Sequence, residues 1–142
     1  YSENYILPIS HNEVYRNGGS LLDCMQMEEE WKKPFLRALY SFFMLHPGKK
    51  LTYMDQEIDE TIQVLNRMYK ELPALSALDT EADGFEWINC LDHGDGTLSF
   101  VRKNGNLENN LLVVANFSQN DYDEYKLGPS YNDRVIAPLN DS

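Results

Sequence analysis

Two patterns of apolar and polar positions divide the chain. In the first half, short apolar runs alternate with longer stretches in which apolar residues recur every three or four positions. In the second half, short apolar runs follow one another, separated by clusters of Gly, Asn and Asp. The three-or-four spacing is that of one helix face, and short runs between turn residues are the mark of strands.

Taken in order, residues 5–9 form the first predicted strand, with Pro8 near its end. Asn17-Gly18-Gly19 is a turn, and Ser20 is placed to cap a helical turn over residues 21–25. A longer helix is predicted over 28–45, with Glu28, Glu29 and Glu30 where negative charge complements the helix dipole. Pro34 lies close enough to its start to be tolerated, or marks a small kink. Trp31, Phe35, Leu36, Leu39, Tyr40, Phe42 and Phe43 cover more than one face, which predicts packing on most sides. His46-Pro47-Gly48 stops the helix, and residues 50–54 make a second strand. Asp59 is placed as the N-cap of a helix reaching Leu72, with Ile62, Leu65, Met68 and Tyr69 at helical spacing and Pro73 as its stop. Strand, helix, strand, helix is the order of βαβ units in a parallel sheet.

Beyond Leu78 the pattern changes. Residues 79–84 form a polar link, and Gly84 is the expected domain boundary. Strands are predicted over 85–90, 97–102, 111–117, 122–127 and 134–137, separated by turns such as His93-Gly94-Asp95-Gly96 and Asn104-Gly105-Asn106. That spacing predicts antiparallel hairpins in a small all-β sandwich, with the continuously apolar Leu111-Leu112-Val113-Val114-Ala115 as a central strand. The expected fold class is therefore α/β, followed by an antiparallel sandwich.

Composition narrows the partners. The chain has 142 residues, 42% apolar and 25% charged, which allows an ordinary globular core. Its formal net charge is -11, which disfavours nucleic acid and anionic lipid as partners but carries no penalty against neutral sugars. Nine Tyr and two Trp suit sugar stacking and core packing equally. Cys24 and Cys90 lack metal-type spacing, and His11, His46 and His93 are scattered, so no metal or other cofactor is expected. No apolar run approaches the roughly 20 residues of a membrane span, and no secretory segment is recognisable. The expected location is cytoplasmic, which gives the Asn116-Phe117-Ser118 sequon little weight. Opening without Met, almost directly on a strand, the sequence reads as a segment of something longer.

Parallel sheets carry their chemistry at the C-terminal ends of strands. Two such ends are predicted here, Ser10-His11-Asn12-Glu13 and Asp55-Gln56-Glu57. The plain alternative is that both are polar strand ends with satisfied hydrogen bonds. Ser10 and His11 are adjacent, so in a strand they point to opposite faces, which argues against a Ser–His nucleophile pair. Asn17-Gly18-Gly19 lacks the Lys and the spacing of a phosphate-binding loop.

At this point the residues become recognisable. Asn4-Tyr5-Ile6-Leu7-Pro8-Ile9-Ser10-His11-Asn12-Glu13-Val14 resembles the fourth sequence region of the 1,4-α-glucan (glycogen) branching enzymes. Gly19-Ser20-Leu21-Leu22, Leu36-Arg37-Ala38-Leu39-Tyr40, His46-Pro47-Gly48-Lys49-Lys50-Leu51 and Tyr69-Lys70-Glu71-Leu72-Pro73-Ala74-Leu75 follow in family order. So do Gly84-Phe85-Glu86-Trp87-Ile88, Leu112-Val113-Val114-Ala115-Asn116-Phe117 and Leu139-Asn140-Asp141-Ser142. The resemblance implies that residues 1–78 are the last strands and helices of a (β/α)8 barrel and residues 84–142 most of the family's C-terminal β-sandwich. A whole barrel takes roughly 250 residues, more than this chain has.

Family members cleave an α-1,4 bond and transfer the released chain to a 6-hydroxyl. A carboxylate attacks the anomeric carbon while a carboxylic acid protonates the leaving oxygen. In the family both groups come from earlier barrel strands. A third carboxylate follows the sugar-contacting His of the fourth region. His11 matches that His, and the carboxylate position is Asn12. An amide hydrogen-bonds a hydroxyl but offsets no developing positive charge. Further departures are Asp55, where the family has Gly, a shortened loop at Ile58-Asp59, and the Arg16-Asn17-Gly18 turn.

Three expectations follow. The first is a branching-enzyme segment, inactive alone, whose partner is an α-glucan. The second is a non-catalytic glucan-binding module with Phe85, Trp87, Tyr122, Tyr125 and Tyr131 as a stacking platform; the competing reading makes Phe85 and Trp87 plain core. The third is pairing or self-association through unpaired barrel strands.

Overall fold

The computed structural model describes residues 6–9, 19–52, 59–89, 94–106 and 109–122. Its elements are β1 (Ile6–Ile9), α1 (Leu21–Cys24), α2 (Glu29–Leu45), β2 (Lys49–Thr52), α3 (Asp59–Glu71), α4 (Pro73–Ser76), a 3-10 turn (Ala82–Gly84), β3 (Phe85–Asn89), β4 (Thr97–Arg102) and β5 (Leu111–Asn116). Two sheets result. β1 and β2 pair in parallel, and β3, β4 and β5 form an antiparallel sheet in that spatial order.

Local chemistry accounts for the helix boundaries. Ser20 and Asp23 form a reciprocal capping box at the start of α1. The α2 helix starts one residue later than its acidic run, with Glu28 as N-cap and Glu29 and Glu30 in the first turn. Pro34 is accommodated inside that helix. Pro73 does end α3, but it also begins α4, where a missing N–H and a fixed φ suit the first helical position. The sequence pattern does not reveal that second short helix.

Packing on α2 covers most of its sides, as expected, but to unequal depth. Leu36, Tyr40 and Met44 form a fully buried stripe with Leu45 beside them, while Trp31, Phe35, Leu39, Phe42 and Phe43 are half-buried. The stripe meets Leu65 of α3, Ala74 and Leu75 of α4, Phe100 of β4, and Leu111 and Val113 of β5 in one continuous core. Helices and antiparallel sheet therefore share their apolar centre.

The antiparallel sheet follows the predicted turns. Gly96 (φ 64°) precedes β4, and Gly105 (φ 85°) lies in the link to β5. A register shift between Trp87 and Asn89 makes a bulge on β3. Alternation puts Phe100 and Arg102 of β4 on one face and Thr97, Ser99 and Val101 on the other, and all five are buried. A strand buried on both faces fits the middle of a sandwich. Of the strand expected at 122–127 only Tyr122 is described, and it is not in a strand. The rest of it, the strand expected at 134–137 and Cys90 lie outside the described residues, and Cys24 is a free thiol. No helix among the described residues is long and apolar enough to cross a membrane.

Where the 3-10 turn enters β3, the backbone of Gly84 passes close to Leu78. A Cβ built at Gly84 would stand 2.1 Å from the Leu78 carbonyl oxygen. Gly84 also accepts from the Lys103 N–H at 2.9 Å, so its backbone has little freedom to retreat. The Gly84→Ala variant is expected to lose about 1–3 kcal/mol, the usual cost of forcing extra volume into a packed site. Urea unfolding monitored by tryptophan fluorescence measures the loss.

Candidate functional site

The parallel register Ile6↔Lys49, Leu7↔Lys50, Pro8↔Leu51, Ile9↔Thr52 brings the C-terminal ends of β1 and β2 side by side. In sequence, the predicted segment 10–13 follows directly from the end of β1, and 55–57 comes three residues after the end of β2. His11, Asn12 and the rest of Ser10–Glu13 lie outside the described residues, and so do Asp55, Gln56 and Glu57. Among the described residues no group of His, Cys, Asp and Glu side chains is arranged to hold a metal ion.

The described part of the chain assembles a different set of polar groups at the opposite end of β2. Its centre is Asp79, in the link after α4. Its Oδ1 accepts from Arg102 Nη2 at 2.7 Å and from the Gly48 backbone N–H at 3.1 Å. Its Oδ2 accepts from the Tyr69 hydroxyl at 3.0 Å, and Lys50 Nζ stands 3.8 Å from Oδ1. Arg102 also donates from Nη1 to the Leu45 carbonyl at 3.0 Å and from Nη2 to the Leu75 carbonyl at 3.1 Å. These carbonyls belong to α2 and α4, whose final turns leave carbonyls without intrahelical partners. The Lys50 ammonium donates to the His46 carbonyl and lies 5.6 Å from the centre of the Tyr69 ring.

Burial sets the electrostatics. The Arg102 side chain is 0% exposed, Asp79 10% and Lys50 14%. Desolvation pushes the Lys50 ammonium down to about 8, with the Arg102 charge acting in the same direction and Asp79 opposing both. Burial, then the bond to Asp79 and its charge, push the Tyr69 phenol up. The His46 imidazole is lowered mainly by its burial, against the opposing bond to the Pro47 carbonyl, so the neutral ring predominates at pH 7. With both oxygens of Asp79 occupied, this cluster is built to hold elements together.

Beside it lies an aromatic layer. His46 stacks at 5.3 Å from Phe42, 5.2 Å from Phe85 and 6.0 Å from Trp87. Trp87 meets Phe85 edge-on at 5.0 Å and Phe100 at 5.6 Å, yet remains 40% exposed. Phe85 is half-buried against the core, so the two aromatics of β3 divide between the readings: Phe85 packs, and Trp87 presents surface. Tyr122 is 37% exposed, and its hydroxyl donates to the Asp95 carbonyl at 2.9 Å. Tyr125 and Tyr131 lie outside the described residues.

None of Asp79, Arg102, Lys50 and Tyr69 stands out as a site residue in the sequence, because their partners are up to 57 positions apart. The one available signal is Arg102, a cation closing an otherwise uncharged strand. A lysine whose folded-state pKa is depressed binds fewer protons than in the unfolded chain, so its stability penalty is full below about pH 8 and is relieved as pH rises. Wild type should therefore gain stability relative to Lys50→Met as pH increases from about 8 to 10. Paired urea titrations across that range measure the change, and a constant gap would mean that the lysine is unshifted.

Comparison with known proteins places these features in context. Residues 87–135 match the C-terminal all-beta domain of alpha amylase. The chain is 34% identical to the 1,4-alpha-glucan branching enzyme GlgB of Rhodopseudomonas palustris (strain HaA2), over 99% of this chain and 23% of that protein. It is 35% identical to GlgB of Desulfitobacterium hafniense, over 90% of this chain and 24% of the relative. With GlgB of Fusobacterium nucleatum the identity is 34%, over 100% of this chain and 27% of the relative. The chain thus spans about a quarter of the length of these relatives. Along nearly its whole length, this chain is similar to the C-terminal part of the 1,4-alpha-glucan branching enzymes.

Proposed function

We propose that this chain forms one edge of an α-glucan branching cleft together with the C-terminal β domain that supports it, and that it binds glucan without branching it alone. The observation that carries the reading is the parallel β1–β2 pair, joined through α2 and ending flush at Ile9 and Thr52, followed by an antiparallel sheet. A strand, a helical crossover and a parallel strand form the repeating unit of a (β/α)8 barrel, whose chemistry sits at the strand C-termini. On this reading residues 1–78 are the end of such a barrel and residues 84–142 the β domain. His11 donates to a sugar hydroxyl, and Asn12 stands where the family has its third carboxylate.

Retaining transfer needs a nucleophile and an acid on opposite sides of the scissile bond. The resembled enzymes take both from earlier strands, so the chain by itself supplies at most hydroxyl contacts. Purified chain incubated with amylose is expected to leave the iodine colour unchanged, and measurable branching would overturn this part of the reading.

Glucan binding has its own observation in Trp87. Its exposed indole stands beside a neutral His46 ring, and a flat apolar face next to a polar tip suits the C–H face and hydroxyls of a pyranose. The Trp87→Ala variant is expected to weaken affinity for glycogen about tenfold, or about 1.4 kcal/mol. Native gels cast with a glycogen series read the change, and equal retardation of the two proteins would remove Trp87 from the contact.

The outer edges of β1 and β2 pair with no further strand among the described residues. Open edges of parallel strands recruit other strands. Self-association that rises with concentration is the expected result in light scattering, and a monomer throughout would refute it.

A further inference from the structure

The flush ends of β1 and β2 carry the proposed cleft, yet the polar cluster grips β2 at its beginning. Gly48 and Lys50, on either side of the first residue of β2, are both held by Asp79. Gly48 has a φ of 109°, a conformation that a side chain resists, and its N–H is directed at the carboxylate. The place where β2 begins is therefore fixed by one side chain from the link after α4.

That fixed point matters because register propagates. In a parallel pair a one-residue slip turns every side chain to the opposite face. Pinning Gly48 and Lys50 holds the β2 side of the register that pairs Ile6 with Lys49 and Ile9 with Thr52. Asp79 is itself held by Arg102, whose guanidinium spans the Leu45 carbonyl of α2, the Leu75 carbonyl of α4 and Asp79 from its place on β4. A planar fork with several donors suits this task, where the single ammonium of Lys would not.

We propose that Asp79, oriented by Arg102, is a positioning residue for the Ile9/Thr52 end of the β1–β2 pair. It ties the register of the cleft edge to the antiparallel sheet. Its place in a cleft rests on the functional reading above; the mechanical link is tested without any glucan.

The test is amide hydrogen exchange on the full 142-residue chain, read by peptide mass spectrometry. In Asp79→Asn, exchange over 6–9 and 49–52 should rise at least tenfold, while β4 and β5 change less than twofold. Tyr69→Phe removes only the Oδ2 bond and should raise exchange over the same two segments about threefold. It decides the matter if Asp79→Asn does not fold. A role limited to general stability predicts equal acceleration in both sheets, and that result would overturn the proposal. So would unchanged exchange over 6–9 and 49–52. Absence of glycogen retardation in the unmutated chain, with the expected exchange pattern, would refute the functional reading alone.

Discussion

A guanidinium with no exposed surface is the costliest group in the described structure, and its neighbours are arranged around that cost. Removing Arg102 from water carries a desolvation penalty of several kcal/mol before any compensation. Compensation comes from Asp79 at 2.7 Å and from two helix carbonyls that would otherwise lack partners. Taking away the carboxylate would leave Arg102 and Lys50 as buried like charges, and breaking a buried pair in this way typically costs about 3–5 kcal/mol. That is comparable to deleting a large core side chain. The placement of α2, α4, β2 and β4 therefore depends on one ion pair as much as on the apolar core.

The aromatic layer extends that constraint toward the surface. His46 caps α2 through its N–H to the Phe42 carbonyl at 2.8 Å, and its ring then stacks among Phe42, Phe85 and Phe100. Lys50 donates to the same residue's carbonyl, so the aromatic layer and the ion cluster meet at His46. A charged imidazole there would add a third cation beside Lys50 and Arg102, and burial together with those charges favours the neutral ring. Trp87 completes the layer, packed against His46, Phe85 and Phe100 and exposed over the rest of its surface. A stacking face is thereby held in place by one fully buried ring, Phe100, and by the half-buried Phe85 and His46.

Much of the fold is legible in the sequence where the signal is local. Helical spacing, with the acidic start of α2 and with Asp59 and Pro73 bounding α3, locates both helices to within a residue or two, and the Gly-bearing turns locate the links on either side of β4. The signal fails where the deciding contact is remote. Residues 79–84 read as a polar link because nothing near Asp79 reveals that it will face Arg102, Lys50 and Tyr69. Pro73 reads as a stop because a proline that ends one helix and one that begins the next look alike in sequence. Trp87 reads in the sequence as core before surface, since alternation fixes its face and leaves its depth open; in the structure it is 40% exposed, on the outer strand of the described sheet.

The relation between the two clusters bears on what Asn12 can do. On the proposed reading, Gly48, Lys50 and Tyr69, which surround Asp79, fall within segments that resemble the branching enzymes, whereas the departures fall at Asn12, the Arg16-Asn17-Gly18 turn, Asp55 and Ile58-Asp59. On that reading the parts that hold β2 keep the family's pattern, and residues next to the strand ends differ. A fixed register presents whatever side chain occupies a position at the same place. On the proposed reading, the amide of Asn12 is delivered where a carboxylate would otherwise stand. There it can still accept a hydrogen bond from a sugar hydroxyl, but it supplies no charge to a developing oxocarbenium ion. On that reading, a held strand with altered chemistry at its end is the arrangement expected of a surface that recognises a glucan without transforming it.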